Sequence, residues 1–186
     1  MQVHKDSKSL VLKLRDPSRV TSLIPRARVV PVDGVNYTQV KFGLDEAKVL
    51  RNLGIKAPSP IRYFYDWPLH IPGVANAAPF EHQRTTSEFF TLHNRAICLN
   101  DMGTGKSLSA LWSAEYLMKQ DVVRKAVIVC PKSTMNTVWM SEIQRHFLGR
   151  LNAVVLHGSR ERRLKLATRM GDKGGMGGEL ILDNVP

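Results

Sequence analysis

Cysteine is nearly absent from this chain of 186 residues, which has only Cys98 and Cys130. Two thiols exclude a disulfide scaffold and a Cys-based zinc site. Both lie in apolar runs, so they are expected to be reduced core residues of an intracellular protein. Long apolar runs are also lacking. No segment approaches the roughly 20 residues that span a bilayer, and Met1 to Asp6 has no apolar stretch of the secretory kind. Acidic residues are scarce, with 16 Asp and Glu against 27 Lys and Arg, a net charge of +11 and a pI near 10.0. That balance favours a polyanionic partner, nucleic acid in the first place. An anionic membrane surface is the weaker alternative, because no segment reads as an amphipathic membrane helix. The remainder, 43% hydrophobic and 23% charged, is globular in type. The length suits one domain with a small appendage. A cytoplasmic or nucleoid-associated location is expected.

The appendage comes first. Ser9 to Arg15 alternates like a strand with one wet face. Ala27–Val32 and Val35–Phe42 are β-branched runs around Asp33-Gly34, a strong hairpin signal. Leu44 to Leu53 has helical spacing, and Gly54 stops it as a left-handed cap. Residues 1–57 therefore read as a small α+β module of strand, hairpin and helix. Residues 58–78, with Pro58-Ser59-Pro60 and a Gly/Pro/Ala-rich stretch, read as a linker. Residues 79–186 have an α/β rhythm. Helices are predicted over His82–His93, Gly105–Lys119, Asn136–Phe147 and Ser159–Met170. Strands are predicted over Arg95–Asn100, Lys125–Cys130 and Leu151–Leu156, with a last apolar piece at Glu179–Asp183 and a flexible glycine-rich loop at Gly171–Gly178. Lys125–Cys130 is apolar throughout, as expected of a strand covered on both faces. Alternating strands and helices predict a doubly wound parallel sheet.

The strongest local signal is Asp101-Met102-Gly103-Thr104-Gly105-Lys106-Ser107, set between a predicted strand and a predicted helix. Glycines at 103 and 105 let several backbone N–H groups converge on one anion, and the following helix adds its positive end. Lys106 is placed to reach the β and γ phosphates of a nucleotide, and the Ser107 hydroxyl to ligate Mg²⁺. The general pattern has glycine where this chain has Asn100. A glycine-containing strand-to-helix turn without a ligand is the competing reading.

Asp101 to Ser107 resembles motif I of the Swi/Snf-type DNA-dependent ATPases of helicase superfamily two, in which a non-glycine opening is normal. Upstream, Pro79-Phe80-Glu81-His82-Gln83 resembles the glutamine motif, which implies that Gln83 reads the adenine edge. Downstream, Val127 to Ser133 resembles motif Ia, followed by Trp139, Glu142 and Ile143. The Trp lies one residue later than in the commonest version of that pattern. The resemblance runs from Pro79 to about Arg163, with His157-Gly158 as a further match. It implies a partial RecA-like P-loop sheet, ATP and Mg²⁺ as cofactors, and the backbone of double-stranded DNA as a partner held without sequence code. Lys132, Ser133 and Thr134 are the DNA candidates at the strand end. A basic helix adds Arg160, Arg162 and Arg163, with Leu164 and Ala167 left to pack. A solvated basic face is the competing reading of that cluster.

Hydrolysis in such ATPases also requires an Asp-Glu pair on a further strand and arginines from a second RecA-like lobe. Leu180-Ile181-Leu182-Asp183-Asn184 is a poor candidate for the pair, since Asn184 cannot act as a base and the segment arrives early. The expectation is an incomplete ATP-binding domain, inactive in isolation and missing its second lobe. No catalytic residue is assigned. A non-catalytic DNA-binding or regulatory protein with a relic nucleotide pocket is the alternative. A small-molecule P-loop kinase is opposed by the glutamine motif and the N-terminal module.

Overall fold

The computed structural model describes residues 1–169 and 178–183. The chain divides into two compact units, Met1–Tyr65 with Glu88–Ala96, and Asp66–Ser87 with Ile97–Pro186. Most of the expected glycine-rich loop and Asn184 lie outside the described residues.

The first unit is built on strands β1 (Gln2–His4), β2 (Ser9–Leu12), β3 (Arg28–Val32) and β4 (Val35–Lys41). They form one antiparallel sheet in the order β1-β2-β4-β3. Asp33 and Gly34 both take left-handed φ, 49° and 75°, as the predicted two-residue hairpin requires. Alternation sends Leu10, Leu12 and Val40 to one face, where they join Val20, Ile24, Phe42, Leu50 and Ala57 in a single buried cluster. Helix α1 (Ser18–Thr21) contributes Val20, and α2 (Leu44–Asn52) contributes Leu50. Gly54, at φ 80°, follows α2 as expected. The polar strand β1 is not foreseen by alternation, because a three-residue edge strand carries almost no pattern. Short α3 (Ile61–Phe64) follows, and the end of α4 (Glu81–Leu92) belongs to this unit. Glu88 of α4 pairs with Arg62 at 3.1 Å and accepts the Ser59 N–H at 2.8 Å, while the buried Ser59 and Thr91 hydroxyls meet at 2.7 Å.

The second unit carries α5 (Lys106–Lys119), β5 (Lys125–Val129), α6 (Lys132–Thr134), a π-helical turn at Met135–Met140, α7 (Ser141–His146), β6 (Leu151–Val155), α8 (Arg160–Arg169) and β7 (Gly178–Asp183). Its sheet is parallel throughout, in the order β5-β7-β6. The fold is therefore mixed α/β, a small antiparallel sheet followed by a parallel one, compatible with a partial RecA-like domain. Leu180 and Leu182 of the central strand are fully buried, as are Trp112 of α5 and Phe147.

Five expectations are corrected. Arg95–Asn100 is not a strand. It is extended chain without a ladder partner among the described residues, and Ile97 and Leu99 are 80% and 88% exposed. An apolar sequence becomes a strand only where a neighbour offers its backbone groups. Likewise β5 is not covered on both faces, since Val127 and Val129 are 61% and 58% exposed. Asn136–Phe147 is not one regular helix but a π turn running into α7. Leu164 is 55% exposed on α8 and does not pack. Of the two cysteines, Cys130 is buried as expected and Cys98, in the unpaired segment, is only half-buried.

Candidate functional site

The glycine loop leads directly into α5. Gly103 and Gly105 sit at φ 78° and 76°, a region that side chains with a Cβ rarely adopt. Gly105 has a second reason to be glycine. A Cβ there would lie 2.3 Å from the Gln83 amide nitrogen. The N-terminus of α5 has no side-chain cap and no acidic residue in its first turn. Its leading N–H groups therefore keep the partial positive charge that attracts an anion. Lys106 folds back over the loop, and its Nζ donates to the carbonyls of Asn100 at 2.8 Å and Asp101 at 2.7 Å. The Thr104 hydroxyl donates to the Asp101 carbonyl at 2.8 Å, tightening the same turn.

Gln83 is drawn to this loop. Its Oε1 accepts the Phe80 N–H at 3.1 Å, and its Nε2 donates to the Thr104 carbonyl at 3.4 Å. The His82 Nε2 also lies 3.1 Å from that carbonyl, and its ring stacks on Phe80. Buried hydroxyls fix the two helices behind the loop. The Ser87 hydroxyl reaches the carbonyls of Gln83 and Ser109, and the Ser113 hydroxyl those of Ser109 and Ser87. Small residues at 87, 109 and 113 let the backbones come this close.

A cleft of about 470 Å³ opens at the loop. Gln83, Gly103, Gly105, Lys106, Ser107 and Leu108 line one side; the segment Leu69–Pro72 and Glu142, Arg145 and His146 of α7 line the other. These last residues were not foreseen. The segment is held at both ends. Asp66 accepts two bonds from Arg150, and the His70 N–H donates to His146 Nδ1 at 2.9 Å. Between them Trp67 packs edge-on to Trp112 at 5.5 Å, and Trp112 Nε1 donates to the Pro68 carbonyl at 2.8 Å. Burial holds His146 below the usual imidazole range, against the pull of Glu142 at 3.2 Å. A neutral ring accepting at Nδ1 and donating at Nε2 satisfies both neighbours. Arg150 also forks onto Glu115, whose carboxylate is 2% exposed and is shared with Lys119. The Arg150 fork holds the Asp66 carboxyl down at about 2. Only the Trp67 and Asp66 side chains, in a stretch otherwise rich in Pro and Gly, could have signalled that it packs.

The other sequence candidates separate. Asp101 and Met102 are exposed on the loop, Met102 at 96%. Lys132 and Ser133 are exposed and Thr134 half-buried in the single turn of α6, after β5. On α8, Arg160 and Arg162 are exposed, whereas Arg163 is half-buried and ion-paired to Asp183. Arg163 is thereby less available to an external phosphate than its two neighbours. Asp183, at the end of β7, is engaged in turn.

The loop, the glutamine behind it and the strand–Pro–Lys–Ser turn after β5 occur here in one order, and the SNF2-related domain matches residues 36–175. The chain belongs to that family. SNF2-related domains are Swi/Snf-like parts of helicase-type ATPases and translocases that use ATP and Mg²⁺ and act on DNA. No curated protein matches the chain. Among the described residues no helix is long and apolar enough to cross a membrane.

The residues of this SNF2-related chain fit a nucleotide triphosphate in donor chemistry. A flexible ammonium group, an uncapped helix end and two left-handed glycines converge on one cleft. Three-carboxylate or histidine clusters that would hold a metal by protein groups alone are absent among the described residues. A hydroxyl such as that of Ser107 suits Mg²⁺ shared with phosphate oxygens, because that ion keeps most of its other ligands from water and phosphate.

Proposed function

We propose that this chain is the ATP-binding part of a Swi/Snf-like DNA-dependent ATPase or translocase. The observation that carries the reading is the convergence of Lys106, the uncapped α5 terminus and Gly103/Gly105 on one cleft. Bound ATP with Mg²⁺ would supply the phosphoanhydride whose cleavage drives such translocases. In this reading Lys106 leaves the carbonyls of Asn100 and Asp101 and neutralises phosphate charge. The N–H groups at the start of α5 would donate to the same phosphate oxygens without moving. The Ser107 hydroxyl would help hold Mg²⁺, and the Gln83 amide, once released from Thr104, would offer a donor and an acceptor to an adenine edge. Asp101, Met102 and Thr104 shape the loop through their backbone.

DNA is held on the same unit by Lys132, Ser133 and Thr134 and by Arg160 and Arg162, which grip phosphates and read no bases. Arg163 contributes by steadying α8 through Asp183. Residues 1–57 act as an accessory module. Turnover also needs a water-activating carboxylate and arginines from a second lobe, so the chain by itself binds nucleotide without meaningful hydrolysis. An arginine finger alone is worth roughly 10³ to 10⁵ in rate.

Calorimetry with ATP and Mg²⁺ tests this. Wild type is expected to bind and Lys106→Ala to lose binding with an unchanged unfolding midpoint, since the side chain faces the cleft and not the core. Equal affinity in both would end the assignment. DNA-stimulated hydrolysis by the chain alone, abolished by Lys106→Ala, would force Asp183 or another acid into the water-activating role.

A further inference from the structure

The first unit has a feature that the nucleotide reading does not use. Its sheet packs only one face. The other face, opposite Leu10, Leu12 and Val40, forms a concave cleft of about 660 Å³ floored by all four strands. The register shows what lies there. Gln2 stands opposite Val11, Val11 opposite Gln39, and Gln39 opposite Arg28, so one row crosses the sheet from edge to edge. Tyr37 lies in the next row, opposite Val30, with Lys13 beside it on the cleft wall. Lys41 stands opposite Ser9, at the other end of β4 from Tyr37.

Three properties of this face point the same way. It carries no acid; none of the residues lining the cleft is Asp or Glu. The stretch Met1–Tyr65 has twelve Lys and Arg against five Asp and Glu, a net charge of +7 and most of the chain's excess. Its polar row is also preorganised. The Arg28 Nε donates to Gln39 Oε1 at 3.0 Å, Gln39 Nε2 donates to the Ser9 hydroxyl at 3.2 Å, and that hydroxyl meets the one on Ser7 at 2.7 Å. Side chains held this way lose little further freedom on binding. An open sheet with a half-buried ring and a basic rim is the surface on which unstacked bases lie flat while phosphates follow the edge. A duplex, whose bases are stacked inside, gains nothing from the ring.

We infer that the open face of the antiparallel sheet is a platform for single-stranded nucleic acid, with Tyr37 stacking a base and Lys13, Arg28 and Lys41 holding phosphates. It is distinct from the backbone grip assigned to α6 and α8. The chemistry of the face, an aromatic ring beside amides, favours nucleic acid over an acidic peptide.

The test uses the whole chain and a fluorescent oligothymidylate of twelve nucleotides, read by anisotropy. Tyr37→Ala is expected to weaken binding about fivefold or more, the lower end of what one base–aromatic stack contributes. Tyr37→Phe keeps the ring and should stay within about twofold, which guards against a loss caused by misfolding. Lys13→Glu with Lys41→Glu should lower the slope of log K against log salt by about 1.4, at roughly 0.7 per phosphate on a single strand. Lys56→Glu, an exposed change off this face, should leave affinity within about twofold. Wild-type affinity in Tyr37→Ala would overturn the inference. So would equal competition by polyglutamate of the same charge, or by a duplex of the same length, against the bound single strand.

Discussion

Val32 and Val35, the facing ends of one strand pair in the first unit, are joined by Asp33 and Gly34 alone. In the second unit β5 and β7 pair along their whole length, yet β5 ends at Val129 and β7 begins at Gly178. The antiparallel sheet is built from two hairpin-like pairs of sequence neighbours, joined where β2 reaches past α1 and β3 to β4, and its buried core cluster lies between Leu10 and Ala57. The parallel sheet is closed by long crossovers, whose ordering cost falls before any contact rewards it. The two units also fix their polar groups differently. The first has a mostly apolar core. The second anchors its cleft segment through Arg150, Asp66, Glu115 and Lys119, an ionic knot around a carboxylate that is 2% exposed. Every strand of the first sheet lies within the first 41 residues; the second unit depends on charges brought together from distant positions.

The largest effect should come from cutting that knot. Arg150→Ala takes the guanidinium fork away from the buried Glu115 carboxylate, and removing one partner of such a pair costs about 3 kcal/mol or more. Urea unfolding followed by far-UV circular dichroism checks this. A change below about 1 kcal/mol would mean that the two units do not differ in this way. Next come the glycines. Gly34→Ala meets no atom within 4 Å and pays only for φ 75°, about 1 kcal/mol, whereas Gly105→Ala also drives a Cβ into Gln83. Gly105→Ala is expected to be the more damaging of the two, and adding Gln83→Ala should recover part of the loss. The same melts on the double variant give that coupling directly.

Acid should separate the units further. Asp66 ionises at about 2 when folded, below the usual 3.8, so its bonds to Arg150 stabilise fully above pH 3.8 and fade as pH falls towards 2. Tryptophan fluorescence near Trp67 and Trp112 should therefore change before the aromatic cluster of Phe42, Tyr63 and Phe64 does. Simultaneous change in both probes would remove the distinction. The smallest effect concerns duplex DNA. With about three phosphates neutralised the salt slope should be near −2.7, and Arg160→Glu with Arg162→Glu should flatten it by about 1.8. Nucleotide affinity is expected to stay put, and an unchanged slope would make α8 a solvated face.

Residues whose partners are close in sequence were legible. The hairpin at Asp33-Gly34, α2 ending at Gly54, and α5 starting after Gly105 all stand where turn and cap chemistry put them. The glycine loop was legible for the same reason. The apolar runs also placed the strands of the parallel sheet, and what escaped were particular contacts with distant partners. Arg95–Asn100 has strand composition and no strand, because composition does not supply a neighbour. Leu164 has the spacing of a packing residue and stays exposed, since α8 has few apolar groups to bring against anything. His146, Glu142 and Arg145 lie about forty residues beyond Lys106 in sequence, and only the fold sets them along the same cleft. The basic cluster was read as uniform until Asp183 claimed Arg163.

The π turn at Met135–Met140 has a consequence in counting. A π turn closes i to i+5 instead of i to i+4, and so holds one residue more than the α turn it replaces. Met135, Trp139, Ile143 and Phe147 recur every four residues, a spacing that drifts around a regular α-helix but stays in line where the turn is widened. The extra residue is taken up in the backbone, over exposed Asn136 and Thr137, and the side chains downstream keep their address. The widened turn therefore ends before Glu142 and His146, which line the cleft from regular α7.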